Sequence, residues 1–337
     1  MKFKYLTTAF FSFMMTTPHT SGQVLPDLKT RQQMQKEENA FLKSMKPGLQ
    51  HEQMLAVRAA MKGDETALQK IRQSRNVPPV LPNGVKTGFP TPDICLFSPA
   101  KASKGKRPLL LYLHGGGWCF GSINSCARFC AAVALEGDCL VAALNYRLSP
   151  AYGFPVPLND CQRAFSFILQ HAETWGGDPL KVFVGGDSAG GNLALATALS
   201  TKGVAGVVSI YPVTKLFTKP TDSWIEYAKG YGDDAELLEA FNEAYAGSHA
   251  NHPLASVALA DDEALQTLPP VLLISAGHDI LFDQTAELAQ RLQRLNHLLC
   301  YHVYPTATHL FITVPGQPTA FNEAVKMVAG FLSSGCQ

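Results

Sequence analysis

The sequence predicts an α/β architecture: a mostly parallel central sheet with helices on both faces. Short apolar runs at 107–113, 138–146, 204–211 and 270–276 read as buried strands. They alternate with segments of helical periodicity, the pattern of a parallel sheet covered on both sides. One further run, Val182-Phe183-Val184, passes through Gly185 and Gly186 into a glycine-rich turn and then an apolar helical stretch from Asn192. This strand–turn–helix is the centre of the chain.

Composition narrows the class. The chain has 337 residues, enough for one large core, and is 46% hydrophobic with a formal net charge of +1. No acidic or basic block stands out, which argues against nucleic acid as the main partner. Residues 1–22 carry two lysines, an apolar stretch over 5–15 and a small-residue exit, the signature of a secretory signal peptide cleaved near Gly22. The stretch is too short to span a bilayer. The eight cysteines include no C-x-x-C and no zinc-ligand spacing with histidine. Most sit in apolar runs, as Cys300 does between Leu299 and Tyr301, and read as buried small hydrophobes. The even count permits disulfides without indicating a pairing.

The elements follow in order. Apolar positions at helical spacing over 28–75, broken at Pro47-Gly48, predict two or three helices before any strand. Residues 76–92, rich in Pro and Gly, read as a connector. Strands are expected at 93–97 and 107–113, a helix at 126–135, a strand at 138–146 and a helix at 158–175. Gly176-Gly177-Asp178-Pro179 reads as a stop and turn. The strand at 204–211 is followed by an acidic, aromatic, helical segment over 218–260 with no clear strand. A strand at 270–276, a helix at 284–295, a strand at 298–304 and a closing helix at 319–332 complete the chain.

The turn reads Gly186-Asp187-Ser188-Ala189-Gly190, a G-x-S-x-G in the context that gives the motif meaning. Small residues on either side of the serine let strand and helix approach closely, which pushes the hydroxyl out above the sheet. The helix that follows offers unpaired N–H groups and the positive end of its dipole. Upstream, the strand at 107–113 runs into His114-Gly115-Gly116-Gly117-Trp118. Consecutive glycines allow N–H groups to converge on a substrate oxygen. The expected oxyanion hole is therefore Gly115, Gly116, Gly117 and Ala189, with the N–H groups of Gly116, Gly117 and Ala189 as donors, Gly115 as the flexible lead-in and His114 as a loop anchor.

Two more groups complete a hydrolytic site. Asp279 lies just past the 270–276 strand, where loop ends face a ligand. Asp283, which opens the next helix, is the second candidate, with capping or support as its alternative role. His309 follows the last strand in Thr308-His309-Leu310-Phe311, whereas His302 lies within that strand and is expected to pack on the sheet. In this arrangement Asp279 orients His309, and His309 takes the Ser188 proton. Arg147, in Asn145-Tyr146-Arg147-Leu148-Ser149-Pro150, is expected to pair with Asp160 and support the His114 loop.

His114-Gly-Gly-Gly, Tyr146-Arg-Leu-Ser-Pro150, Gly186-Asp-Ser-Ala-Gly-Gly-Asn-Leu-Ala194, His278-Asp279 to Asp283, and His309-Leu-Phe311 together resemble the hormone-sensitive-lipase-like branch of the α/β-hydrolases, the bacterial acetyl-esterase group. The resemblance covers roughly residues 90–335. It implies a catalytic domain over 76–337 and a serine hydrolase acting on short-acyl esters, with no cofactor and no metal. It also implies a helical cap built from residues 23–75 and an insertion around 213–262. Three positions depart from the family pattern: Asn145 where Asp is usual, Ile280 where Pro follows the acid, and Leu310 where Gly often follows the histidine. The expected partner is a small-molecule ester. Neither nucleic acid nor stable membrane insertion is expected, and a homodimer is compatible with the chain. Export through the leader would place acetylated carbohydrate within reach. A non-catalytic ligand receptor on the same fold is the alternative of another class; it predicts loss of a triad member, and Ser188, Asp279 and His309 are all present. A lipase would want an exposed apolar lid, and 218–260 is too acidic for one.

Overall fold

The computed structural model describes residues 26–217 and 220–336. The leader expected over 1–22 lies outside these residues. Among the described residues eight strands form one sheet: β1 (Val85–Thr91), β2 (Ile94–Pro99), β3 (Arg107–Leu113), β4 (Leu140–Leu144), β5 (Gly177–Asp187), β6 (Val207–Ile210), β7 (Val271–His278) and β8 (Leu299–Thr308). Their spatial order is β1-β2-β4-β3-β5-β6-β7-β8. β1 and β2, and β2 and β4, pair antiparallel. The remaining pairs are parallel, as the apolar strand runs predict.

The chain steps from β3 outward to β4 and then returns across β3 to β5. Order reverses there, so the ends of β3 and β5 border the crevice where open α/β sheets bind ligands. The His114 loop leaves the end of β3, and Ser188 follows β5.

Alternation along β3 shows how both faces are covered. Leu109, Leu111 and Leu113 join one core with Val182, Val184 and residues of α5 (Val156–His171), α6 (Ala189–Ser200) and α10 (Phe282–Arg294), among them Phe165, Leu193 and Leu288. Leu110 and Tyr112 point the other way, into a core with Phe183 and Val208 and with Phe129 and Val328 of α4 (Ile123–Glu136) and α11 (Pro318–Ser334). Each fully buried Leu of this kind contributes roughly 1.5–3 kcal/mol.

Residues 28–75 form three helices, α1 (Leu28–Ser44), α2 (Leu49–Met61) and α3 (Thr66–Arg75), with the break at Pro47-Gly48 where the sequence places it. Between β6 and β7 lie α7 (Asp222–Glu226), α8 (Ala235–Tyr245) and α9 (Asp262–Gln266). α2 lies against α8, tied by Arg58 to Glu243 at 3.2 Å and His51 to Glu236 at 3.2 Å. α1 crosses the other way, and its Glu37 accepts from the Thr319 N–H at 2.8 Å at the start of α11. On α6, Asn192 donates through Nδ2 to the carbonyls of Val213 (2.8 Å) and Ala255 (2.9 Å), so one buried amide clasps both ends of the 213–255 excursion.

Three expectations change. Residues 76–92 are not only a connector: they contain β1, an edge strand whose mostly exposed residues and Pro90 mask its strand character. An edge tolerates proline because one row of N–H groups is unpaired there anyway. The stop expected at 176–179 is a single left-handed turn at Gly176 (φ 80°), and the strand already begins at Gly177, opposite Arg107. Cys300 does not remain a free thiol: it is bonded to Cys336. Cys95, Cys119, Cys126, Cys130, Cys139 and Cys161 are free and buried, as their apolar surroundings predict.

Candidate active site

Ser188 sits at φ 53°, ψ −120°, a backbone state that L-residues rarely adopt, between the last residue of β5 and the first of α6. The turn closes because Gly186 and Gly190 carry no side chains. A Cβ on either would run into the Leu113 carbonyl at the end of β3. α6 is apolar all round and buried along most of its length, so it fixes the serine rigidly.

The serine Oγ stands 2.8 Å from His309 Nε2. On the other side of the ring, His309 Nδ1 donates to Asp279 Oδ2 at 2.8 Å; a carboxylate only accepts, which assigns that proton to Nδ1. Asp279 also accepts from the Leu281 N–H at 2.9 Å through Oδ1. Ser188, Asp279 and His309 are 5%, 1% and 1% exposed. β7 ends at His278, so Asp279 projects from the carboxyl edge of the sheet, and β8 ends one residue before His309. The three residues named from the sequence thus form one continuous hydrogen-bonded chain. Burial alone would push His309 down, but Asp279 and Asp233 outweigh it and hold the imidazole up at about 9.

The glycine loop is braced from two sides. Gly116 and Gly117 adopt φ of 108° and 59°, open only to glycine without strain. Ala189 is the first residue of α6, whose initial N–H groups point out of the helix. Gly115, expected as the lead-in rather than as a donor, gives its N–H to Asp187 Oδ1 at 3.2 Å. Tyr112 Oη donates to the same Asp187 oxygen at 2.9 Å. Burial pushes the Asp187 carboxyl up, to about 6, against these two bonds. His114 stacks on Tyr146 at 4.3 Å, and the Tyr146 hydroxyl donates to the His114 carbonyl at 2.7 Å. Burial lowers His114 to about 4, so it anchors the loop as a neutral ring.

Residues 110–313 match the family described as alpha/beta hydrolase fold. The chain belongs to the alpha/beta hydrolase family. It is 29% identical over 234 residues to the esterase LipI of Mycobacterium tuberculosis, covering 68% of this chain and 73% of that protein. It is 33% identical over 227 residues to an ethyl acetate hydrolase of Pseudomonas putida (65% and 70% covered). Carboxylesterase NlhH of M. tuberculosis is 27% identical over 274 residues (77% and 82%). Among solved structures, an ester hydrolase from the metagenome of Lake Arreo superimposes with a TM-score of 0.70 at 27% identity, covering 92% of this chain and 100% of that one. A thermostable esterase from P. putida shares the fold, with a TM-score of 0.74 at 22% identity over 94% and 99% of the two chains. The chain is a carboxylic ester hydrolase of the hormone-sensitive-lipase-like branch.

In this hydrolase the second acidic candidate, Asp283, faces away from His309. Its Oδ2 accepts from the Ser223 N–H at 2.7 Å, and the Asp283 N–H donates back to Ser223 Oγ at 3.1 Å, so it fastens α7 to α10. His302 lies on β8 opposite Ile274. Arg147 grips Asp160 with Nε at 2.9 Å and Nη2 at 2.7 Å, the pairing expected of it. At the departure Asn145, Oδ1 accepts from the Ile123 N–H at 2.7 Å, a hydrogen bond that a carboxylate oxygen could also accept. Ile280 offers its carbonyl to Ser223 Oγ at 3.1 Å.

Four residues at the site were not singled out in the sequence. Asp187 lies inside the serine motif, and its position beside Ser188 was the available signal. Tyr112 reads only as one apolar residue of β3. Phe241 of α8 lies directly against Gly117, where a Cβ would enter its ring. Asp233, between α7 and α8, has its Oδ2 3.3 Å from His309 Nε2. Nothing in a Gly-Asp-Asp stretch inside an acidic segment marks it. No helix among the described residues is long and apolar enough to cross a membrane, and no group of three or more His, Cys, Asp or Glu there could hold a metal ion.

Proposed function

We propose that this hydrolase is a serine carboxylesterase that cleaves short-acyl esters, acetyl to butyryl, through a Ser188 acyl-enzyme. The observation that carries this is the unbroken Ser188–His309–Asp279 chain, with both of its links at 2.8 Å. Neutral His309 takes the Ser188 proton on Nε2 as Oγ attacks the ester carbonyl carbon. The carbonyl oxygen becomes an oxyanion against the N–H groups of Gly116, Gly117 and Ala189, each donor being worth about 10²–10³ in rate. The imidazolium, held by Asp279, then gives its proton to the departing alcohol. A water molecule repeats the sequence on the acyl-enzyme, releasing the acid and restoring Ser188.

The preference for short acyl groups rests on crowding. Phe241 packs on Gly117, and Trp118 stacks on Tyr245 at 4.1 Å, so α8 lies immediately above the glycine loop. Two relatives are named for acetate esters, the P. putida ethyl acetate hydrolase and a versiconal hemiacetal acetate esterase of Dothistroma septosporum. In this reading α1–α3 and the 213–262 segment form the cap that limits acyl and alcohol size. An acetylated carbohydrate is the substrate class this enzyme would meet if residues 1–22 export it. A p-nitrophenyl ester series from acetate to decanoate tests the reading. Turnover should be fastest from acetate to butyrate; a maximum at octanoate or decanoate would overturn it.

A further inference from the structure

The position of Asp233 on the far side of His309 is not explained by the triad. Its carboxylate is 3.3 Å from Nε2, the same nitrogen that faces Ser188 Oγ, and its side chain is 13% exposed. The segment is held there by its neighbours. The Gly232 carbonyl accepts from Gln50 Nε2 of α2. A Cβ on Gly232 would lie 3.2 Å from the His309 Cβ, so this turn packs closely against the root of the His309 side chain. Asp234 Oδ1 accepts from the Gly230 N–H at 2.8 Å, and the Ala235 N–H donates to the Ala228 carbonyl at 2.9 Å, which closes the turn around Asp233. The charge of a carboxylate this far out of water favours a proton on the ring nitrogen it faces.

We infer that Asp233 is a positioning residue for the general base: it holds the protonated form of His309 from the Nε2 side, as Asp279 does from the Nδ1 side, and so sets the pH at which the hydrolase turns on. The inference rests on the proposed role of His309 as the base. The acidic groups around the ring are Asp279 after β7, Asp233 before α8, and Asp187 beside Ser188, each of which raises His309. Burial raises Asp233, while Arg75 of α3 and Asp234 act on it with opposite signs, and the Tyr211 ring lies tilted against His309 with centroids 4.5 Å apart. Burial drives His309 down and the carboxylates more than reverse it, to about 9. A protonated Nε2 cannot accept the serine proton. The acid limb of kcat/KM, which reports the free enzyme, therefore lies where His309 loses its proton.

The test is the pH profile of kcat/KM for p-nitrophenyl butyrate in wild type, Asp233→Asn and Asp233→Ser, with the His309 ring titrated by nitrogen-resolved NMR in the same proteins. Removing the charge should move the acid limb down by about 1 pH unit or more, with the NMR midpoint moving by the same amount. At the wild-type midpoint less one unit, the variants should then show a severalfold gain relative to their own plateau. Two neutral substitutes guard against one that does not fold. A limb and a ring titration that both stay at the wild-type pH in a folded variant would overturn the inference. Wild type that turns over no ester at any pH would instead remove the esterase reading, and the NMR midpoints alone would still decide whether Asp233 holds the proton.

Discussion

Asp187 Oδ1 accepts the Gly115 N–H at 3.2 Å, so the residue before Ser188 holds the start of the glycine loop. With the Tyr112 hydroxyl on the same oxygen at 2.9 Å, β3, the glycine loop and the serine turn meet at one buried carboxyl. Asp187→Ala should therefore lower kcat by about 10–10² with little change in KM, because it loosens donors that act mainly in the transition state. Steady-state kinetics on a variant of native circular dichroism checks this. An unchanged kcat would mean the loop holds its shape without Asp187.

The two acidic candidates separate cleanly by substitution. Asp279 holds the His309 tautomer, whereas Asp283 fastens α7 through Ser223. Asp279→Asn should reduce kcat by about 10⁴, the scale of losing the group that orients a catalytic histidine. Asp283→Asn should leave kcat within a few-fold and act on thermal stability instead. Parallel kinetics and melting curves distinguish the two.

Phe241 sets the room above the glycine loop. Phe241→Ala should raise kcat/KM for octanoate relative to acetate by about tenfold or more, the range over which added methylenes are discriminated in an apolar pocket. The chain-length series repeated on the variant measures this directly. No shift in the optimum would place the acyl group elsewhere.

How much of this was legible in the sequence depends on the range of each interaction. Ser188, Asp279 and His309 could be named because each stands at a strand end, and strand ends show in the apolar runs that precede them. The parallel sheet could be inferred for the same reason. β1 could not, because an exposed edge strand has no apolar run and tolerates Pro90. Asp233 was invisible because its meaning arises from a turn that folds across the site from an excursion leaving the sheet after β6. Gly115 could be read as the lead-in to the Gly116 and Gly117 donors, but the commitment of its N–H to Asp187 shows only in the fold, since three consecutive glycines look alike in sequence. The Cys300–Cys336 bond joins the start of β8 to the segment that follows α11, a proximity that no local pattern carries.

That bond closes a loop of sequence separation 36. By chain entropy it should stabilise the fold by about 3–4 kcal/mol. Cys336→Ser should lower the denaturant midpoint accordingly, and a change near zero would mean the C-terminal end is held by packing alone. The free thiols should resist alkylation in the native state, since burial pushes Cys95 up to about 11 and Cys119 and Cys139 up to about 12.

The most direct measurement is intact-protein mass spectrometry after exposure to an alkyl fluorophosphonate, in which an activated serine Oγ displaces fluoride from phosphorus and keeps the phosphonyl group. Wild type should gain one phosphonyl group per chain, mapped to the peptide containing Ser188, and Ser188→Ala should gain none. Folded wild type that remains unmodified, or a label that maps elsewhere and survives Ser188→Ala, would contradict a nucleophile built from Ser188, His309 and Asp279.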